Sequence, residues 1–434
     1  MQHFTTRPRA ASAAATPAAT GDRPPRRPRL DGLDAARGLA VLGMFAAHLA
    51  PLHDPVDLGD PSTWGAMVHG RSSVLFALCA GVSLVLATTG PTERGRIRDR
   101  RHVLARAALL LAIGALLTLV PGGILVILPT YAVLFVAALP FLRLRLRWVV
   151  LAAVLALVAG PPVALVGQSV ASLSGVGLAD PLFSGYPAVS WFGVVLAGVL
   201  LARLGLERRR VLWGALGSGI GAAILGYGGG SVVAHAFGIS GPVGTMIPIP
   251  DLSGSSTGPG SGSVTIPTGS STTMLVPEQQ PLPEVNWARL LDVSPHGGST
   301  FELLGAIGVA VAVLAAALLL TAVAPLRLRP LSSIGRCALT LYCGHVLAIG
   351  AWVVAGRPDP LPALDGWFPY LVLIVAAAVA AILLDRAGRR GPLEALARRC
   401  ARSLDDRGGS GDVDANAARG GTPEVLPAPR PAVT

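Results

Sequence analysis

Lysine is absent from the chain, and only 14% of its 434 residues are charged. A soluble globular domain carries roughly 25% charged residues, so a water-facing surface cannot be built over most of this sequence. Ten-residue segments of alternating apolar and polar residues are missing, which excludes a transmembrane barrel. Cysteine is scarce: Cys79, Cys337, Cys343 and Cys400 lie in or beside apolar segments without metal-ligand spacing, and read as small core residues. No metal is expected. Residues 1–29 lack the apolar run of a secretory signal and carry Arg, Pro and Ala instead. No internal repeat is visible, so an inverted-repeat transporter has little direct support.

What is present is apolar length. Residues of apolar type make up 52% of the chain, in runs that repeatedly reach the roughly 20 residues a spanning helix needs. Backbone groups in lipid must bond within their own segment, so the predicted class is an all-α, polytopic transmembrane helical bundle. Spans are placed near 37–53, 72–89, 103–120, 122–141, 147–167, 187–204, 211–232, 300–324, 331–355 and 366–384, about ten in all. The formal charge of +11 sits on arginines between these runs. Clusters at Arg94–Arg101, Arg143–Arg147, Arg208–Arg210, Arg327–Arg329 and Arg386–Arg390 share one side. The opposite linkers hold Asp54, Asp57, Asp60, Asp180, Asp251, Glu284, Asp292 and Asp359, with Arg71, Arg289 and Arg357 as the basic members. By the positive-inside rule both termini are cytoplasmic and the protein is multi-pass in the cell membrane. The arginines are then a topology signal, and no nucleic-acid partner is expected.

Three segments fall outside the helical pattern. Residues 1–30 and 399–434 read as disordered cytoplasmic ends of a transmembrane domain spanning 31–398. Within that domain residues 233–299, rich in Gly, Ser, Thr and Pro, read as a flexible outer loop that orders only where it meets the helices.

Polar residues inside apolar helices are the candidates for chemistry, because burying them against lipid costs several kcal/mol. In the first span Arg37 and His48 are eleven residues apart, hence on one face and about 16 Å apart along the axis. Arg37 reads equally as an interfacial anchor, and His48 as a structural histidine or a general base. Tyr342 and His345 are three apart and neighbours on one face. Arg336 and His345, nine apart, face opposite ways unless the helix is distorted. His69 and Arg71 open the second span, near Trp64. His296 stands in a turn before Ser299 and Thr300, either of which can cap a helix whose first turn holds Glu302. If Glu302 faces a cleft, it can orient an imidazole.

The arrangement LDGLDAARG with Arg37 and His48 resembles the first helix of integral membrane acyltransferases, including the acyltransferase-three O-acetylases. WGAMVHGRSSVLFALCAGVSLVLA resembles bacterial relatives of heparan-alpha-glucosaminide N-acetyltransferase and the neighbouring domain of unknown function 418. SPHGGSTFELLGAIGVAVAVL, PLSSIGRCALTLYCGHVLAI and GPLEALAR (391–398) strengthen the similarity to the second family. These motifs cover roughly 30–90 and 293–398, the middle spans contributing topology alone. The resemblance implies transfer of an acyl group, usually acetyl, from cytoplasmic acetyl-CoA or another acyl-CoA to an extracytoplasmic sugar or glycolipid. On that reading Arg37 and Arg336 pair with CoA phosphates. His48, His69 and His345 are the catalytic candidates, and Arg71, His296, Glu302 and Tyr342 line the acceptor side. In the heparan enzyme a luminal histidine carries the acetyl group, a role that falls on His48 or His69. The implied partners are the bilayer and the acceptor, with a homodimer left open. A transporter or flippase without covalent chemistry, or a non-catalytic protein of the same fold, is the competing reading.

Overall fold

The computed structural model describes residues 30–50, 60–88, 92–174, 180–183, 185–239, 285–295, 297–355 and 367–403, and no strand occurs among them. The segments 1–29, 240–284 and 404–434, to which most of the N-terminal, outer-loop and tail expectations refer, lie outside the described residues. So do His296, Asp54, Asp57, Asp251, Glu284, Asp359 and Arg357.

Helix α1 (Asp31–Leu49) opens on two acidic residues, Asp31 and Asp34, which complement the positive end of its dipole. A 3-10 turn (Pro61–Val68) leads into α2 (Arg71–Ala87). Next come α3 (Glu93–Leu117), α4 (Leu128–Ala138), α5 (Leu146–Ser174), a single turn α6 (Asp180–Phe183) and α7 (Ala188–Leu204). A π-helical turn, Ile224–Gly229, joins α8 (Arg209–Ala223) to α9 (Gly230–Ala236). After a 3-10 turn at Trp287–Leu291 follow α10 (Thr300–Val323), α11 (Pro325–Arg336), α12 (Ala338–Val354) and α13 (Phe368–Arg386). A further helix, α14, occupies residues 392–403.

Between apolar helices the hydrophobic effect gives little preference for one partner, so close backbone approach at small residues selects the pairings. Three glycine-to-glycine crossings do this here. A Cβ built on Gly38 of α1 would stand 3.2 Å from the Gly335 nitrogen of α11, and one on Gly335 3.0 Å from the Gly38 nitrogen. Gly81 of α2 and Gly198 of α7 approach in the same way, at 3.2 and 3.1 Å to each other's Cα. On α8 and α10, a Cβ on Gly219 would lie 2.7 Å from the Gly308 carbonyl. With α5 packed on α7, and α10 against both α1 and α2, these seams make one bundle.

By length and composition four helices can cross a membrane, Leu146–Val170, Arg209–Ala236, Thr300–Val323 and Phe368–Arg386, and the bent pair α11 and α12 makes a fifth if counted as one span. The apolar helices α2, α4 and α7 are shorter. This is a helical membrane protein.

Several boundaries differ from the hydropathy reading. Helix α1 starts at Asp31 and α3 at Glu93, where the Thr92 hydroxyl accepts from Gly95 N at 3.2 Å. Apolar runs mark where lipid begins, whereas a helix continues into the polar interface. Helix α4 covers only Leu128–Ala138, because residues 121–127 are non-helical and lie against α12: a Cβ on Gly350 would meet the Pro121 carbonyl at 3.0 Å. Fraying near Gly226–Gly230 is replaced by the π turn. The chain is helical through 403, so residues 399–403 belong to α14 rather than to a disordered tail. Residues 285–295 and 297–299, part of the expected outer loop, are anchored: Ser299 Oγ donates to the Asp292 carbonyl at 2.5 Å and both residues are buried.

Candidate functional site

Two helices carry the central pair. Helix α1 presents Phe45 and His48 one turn apart, and α12 presents Tyr342 and His345 one turn apart. The rings of His48 and His345 stack, with centroids 5.5 Å apart and planes at 23°. Phe45 packs against His345 at 4.9 Å and Tyr342 meets it edge-on at 5.1 Å. His345 is 1% exposed, and no well-formed hydrogen bond reaches either ring nitrogen. The backbone of Leu341 and Tyr342 is adjacent. His48 is half-buried, and His69, in the turn before α2, is close enough for the two imidazoles to repel when charged. The Tyr342 hydroxyl accepts from Ile127 N at 3.3 Å, which satisfies a backbone donor in the non-helical segment 121–127. Histidine can hold or move a proton near neutrality, and of the two stacked rings His48 is the one left partly accessible to a reacting group.

Arg37 lies on α1 about 16 Å from His48 along the axis. One guanidinium nitrogen donates to Asp34 at 2.8 Å and another to the Ser83 hydroxyl of α2. Arg106 of α3 stands near Arg37, Glu394 and Arg398, and its guanidinium lies 5.5 Å from the Phe135 ring centroid. Cationic groups from α1, α3 and α14 therefore converge at this end.

Arg336 is placed differently from Arg37. It ends α11, beside the break at Cys337 that bends α11 from α12 by 65°. The bend frees Arg336 from the helical register of His345, so the nine-residue spacing no longer fixes how the two are related. Its nitrogens reach Asp385 of α13, Asp31 at 3.0 Å and Asp34 at 3.7 Å. Three carboxylates take up the fork and tie α1, α11 and α13.

A second constellation joins α2, the π turn and α10. Arg71 Nε donates to the Tyr227 hydroxyl at 2.9 Å, with the guanidinium 4.5 Å from the ring centroid. Glu302 is 4% exposed and has Arg71 and Asp292 as its charged neighbours. Ser299 supplies the helix cap, accepting from Glu302 N at 3.0 Å. Among the described residues no imidazole bonds to Glu302.

The fold brings His48, His345 and Tyr342 together, with His69 nearby, and gathers Arg71 and Glu302 separately. Tyr227 escaped the sequence reading because only the π turn turns it towards Arg71. One partner of Arg37 was in plain view, Asp34 three residues before it on the same helix, whereas Ser83 comes from α2. Among the described residues no group of three or more His, Cys, Asp or Glu side chains is placed to hold a metal ion.

Comparison with known proteins gives two matches. Residues 29–229 match the family model described as Heparan-alpha-glucosaminide N-acetyltransferase, catalytic, and residues 281–403 match that described as Protein of unknown function (DUF418). No curated protein and no solved structure matches the chain. The first match extends well past α2, where the recognisable motifs stop, through α8 into the π turn. His48 belongs to the first matched segment and His345 to the second, so the stacked pair joins them. The two matches together support a membrane acyltransferase-like family of the heparan-alpha-glucosaminide N-acetyltransferase and DUF418 type.

Proposed function

We propose that the protein transfers an acetyl group from cytoplasmic acetyl-CoA to a sugar or glycolipid acceptor on the outer side of the cell membrane. The observation that carries this reading is the His48–His345 stack, in a chain whose first segment matches an acetyltransferase catalytic model. Imidazole removes the acceptor's proton as its oxygen or nitrogen attacks the thioester carbonyl. The carbon–sulfur bond breaks, and the CoA thiolate leaves and is protonated. His48 is the base or the acyl carrier, His345 its partner, and His69 the histidine nearest the acceptor.

On the donor side Arg37 and Arg106 receive the CoA phosphates, where charge-assisted bonds to a guanidinium are strong. Arg336, with its fork already occupied, holds the inner helix ends in register. Arg71, Tyr227 and Glu302 face the acceptor. The topology that goes with this reading has about ten crossings and cytoplasmic termini, with α2 and α7 crossing at 17 residues each, the lower end of the spanning range.

Thermal-shift measurement on the purified protein in nanodiscs is the first test. A bound ligand raises the melting temperature by mass action. CoA at saturating concentration stabilises an acyltransferase and leaves a carrier without a CoA site unchanged. Absence of any shift, together with absence of acetyl transfer, would remove the enzyme reading.

A further inference from the structure

Helix α12 begins afresh inside the bundle. Cys337, at φ −111° and ψ 20°, interrupts the helix and offers no side-chain cap. A helix that restarts in this way presents backbone N–H groups without carbonyl partners. Their acceptor comes from elsewhere in the chain. Glu394, on α14, accepts from Leu339 N at 2.7 Å and Thr340 N at 3.1 Å, and its other oxygen accepts the Thr340 hydroxyl at 2.5 Å. The Thr340 oxygen in turn accepts from Leu393 N at 3.1 Å. Gly391 permits this approach, since a Cβ there would stand 2.5 Å from Thr340 Oγ1. The carboxylate also complements the positive end of the α12 dipole. Further along, α12 is held by residues 121–127 at Tyr342 and Gly350 and by limited packing against α1, α3 and α11, with Leu347 and Val354 exposed.

We propose that Glu394 is a positioning residue: by closing the amino end of α12 it sets the height and rotation at which Tyr342 and His345 meet Ile127, Phe45 and His48. His345 lies five residues beyond Thr340, about 7.5 Å up the same helix, so a tilt or slip at the cap is carried to the imidazole. The GPLE sequence at 391–394 thereby acquires a physical role: proline at the first helical position, a glycine that clears space, and a glutamate that reaches across to another helix. The proposal rests on the acetyltransferase reading only for its kinetic consequence.

The test uses full-length protein in nanodiscs with 15N-labelled histidine, each imidazole assigned through single His→Gln variants, and compares wild type with E394A, E394Q and T340S. E394A shifts the resonances of His48 and His345 and leaves His235 on α9 unmoved; E394Q, whose amide oxygen still accepts from Leu339 N and Thr340 N, shifts them less, and T340S, which keeps the hydroxyl, leaves all three in place. With acetyl-CoA the rate constant for transfer falls by roughly 10–100-fold in E394A. A folded E394A with unmoved His48 and His345 resonances overturns the proposal, as does a variant in which His235 moves equally, since that marks general loosening. If wild type transfers no acetyl group, the enzyme reading fails while the resonances still decide the role of Glu394.

Discussion

His48 and His345 come from opposite ends of the sequence, yet their imidazoles lie nearly parallel, 5.5 Å apart between centroids. The pair works as a unit if the acetyltransferase reading holds, and mutations within one catalytic unit do not add. H48A and H345A are each expected to lower acetyl transfer by roughly 10²–10⁴-fold, the usual contribution of a positioned base. The double variant is expected to be little worse than the poorer single. Rates measured in proteoliposomes with labelled acetyl-CoA check this, and effects that multiply would separate the two roles.

Arg336 makes a different prediction. Arg336 shares its guanidinium among Asp31, Asp34 and Asp385, so R336M is expected to remove the cation that ties α1 to α13, leaving Asp34 with Arg37 and Asp385 with Arg329. Breaking a fully buried pair costs roughly 3–5 kcal/mol. The side chain is 22% exposed, so about 2 kcal/mol is the expected loss after screening. The check is a fall in melting temperature with the CoA-induced stabilisation preserved; loss of the CoA shift alone would move Arg336 back to the donor site.

Close helix crossings can be tested against an internal control. In G335A the new methyl group would meet the Asp34 carbonyl and stand 3.0 Å from the Gly38 nitrogen, backbone that cannot swing aside. Gly344 has nothing within 4 Å of the same position. G335A is therefore expected to destabilise by about 1–3 kcal/mol, and G344A to be neutral or to stabilise by up to about 1 kcal/mol through helix propensity. Melting curves of both variants in one detergent decide it; equal effects would contradict the seam.

Y342F tests the support beneath the histidine pair. Removing the hydroxyl deprives Ile127 N of its acceptor in a buried, non-helical stretch, at a cost of about 1–3 kcal/mol. Increased hydrogen exchange confined to residues 121–128 is the expected signature, and unchanged protection there would show that Ile127 N has another partner.

Much of this was legible in the sequence, for stated reasons. Apolar run length and the scarcity of charge gave the helical membrane class, because lipid constrains composition harder than any soluble environment does. Helical geometry set Tyr342 beside His345, and placed Arg37 and His48 at opposite ends of one face. What stayed hidden depended on contacts distant in sequence or on breaks in helical period. The stack of His48 on His345 needs the bend at Cys337 and the packing of α1 against α11 and α12, which no spacing rule reports. The three-carboxylate surroundings of Arg336 join residues 31, 34 and 385, and the role of Glu394 appears only once α12 is seen to start again at Ala338. Tyr227 depends on a π turn, where one extra residue per turn shifts the face that follows.

The most direct measurement is single-turnover transfer from labelled acetyl-CoA by wild type and by the H48A/H345A double variant, both reconstituted in vesicles and both shown to bind CoA by thermal shift. The account predicts that wild type releases CoA thiol and passes the label to an added sugar or glycolipid, while the double variant binds CoA and transfers nothing measurable. Transfer by the double variant at the wild-type rate would contradict it.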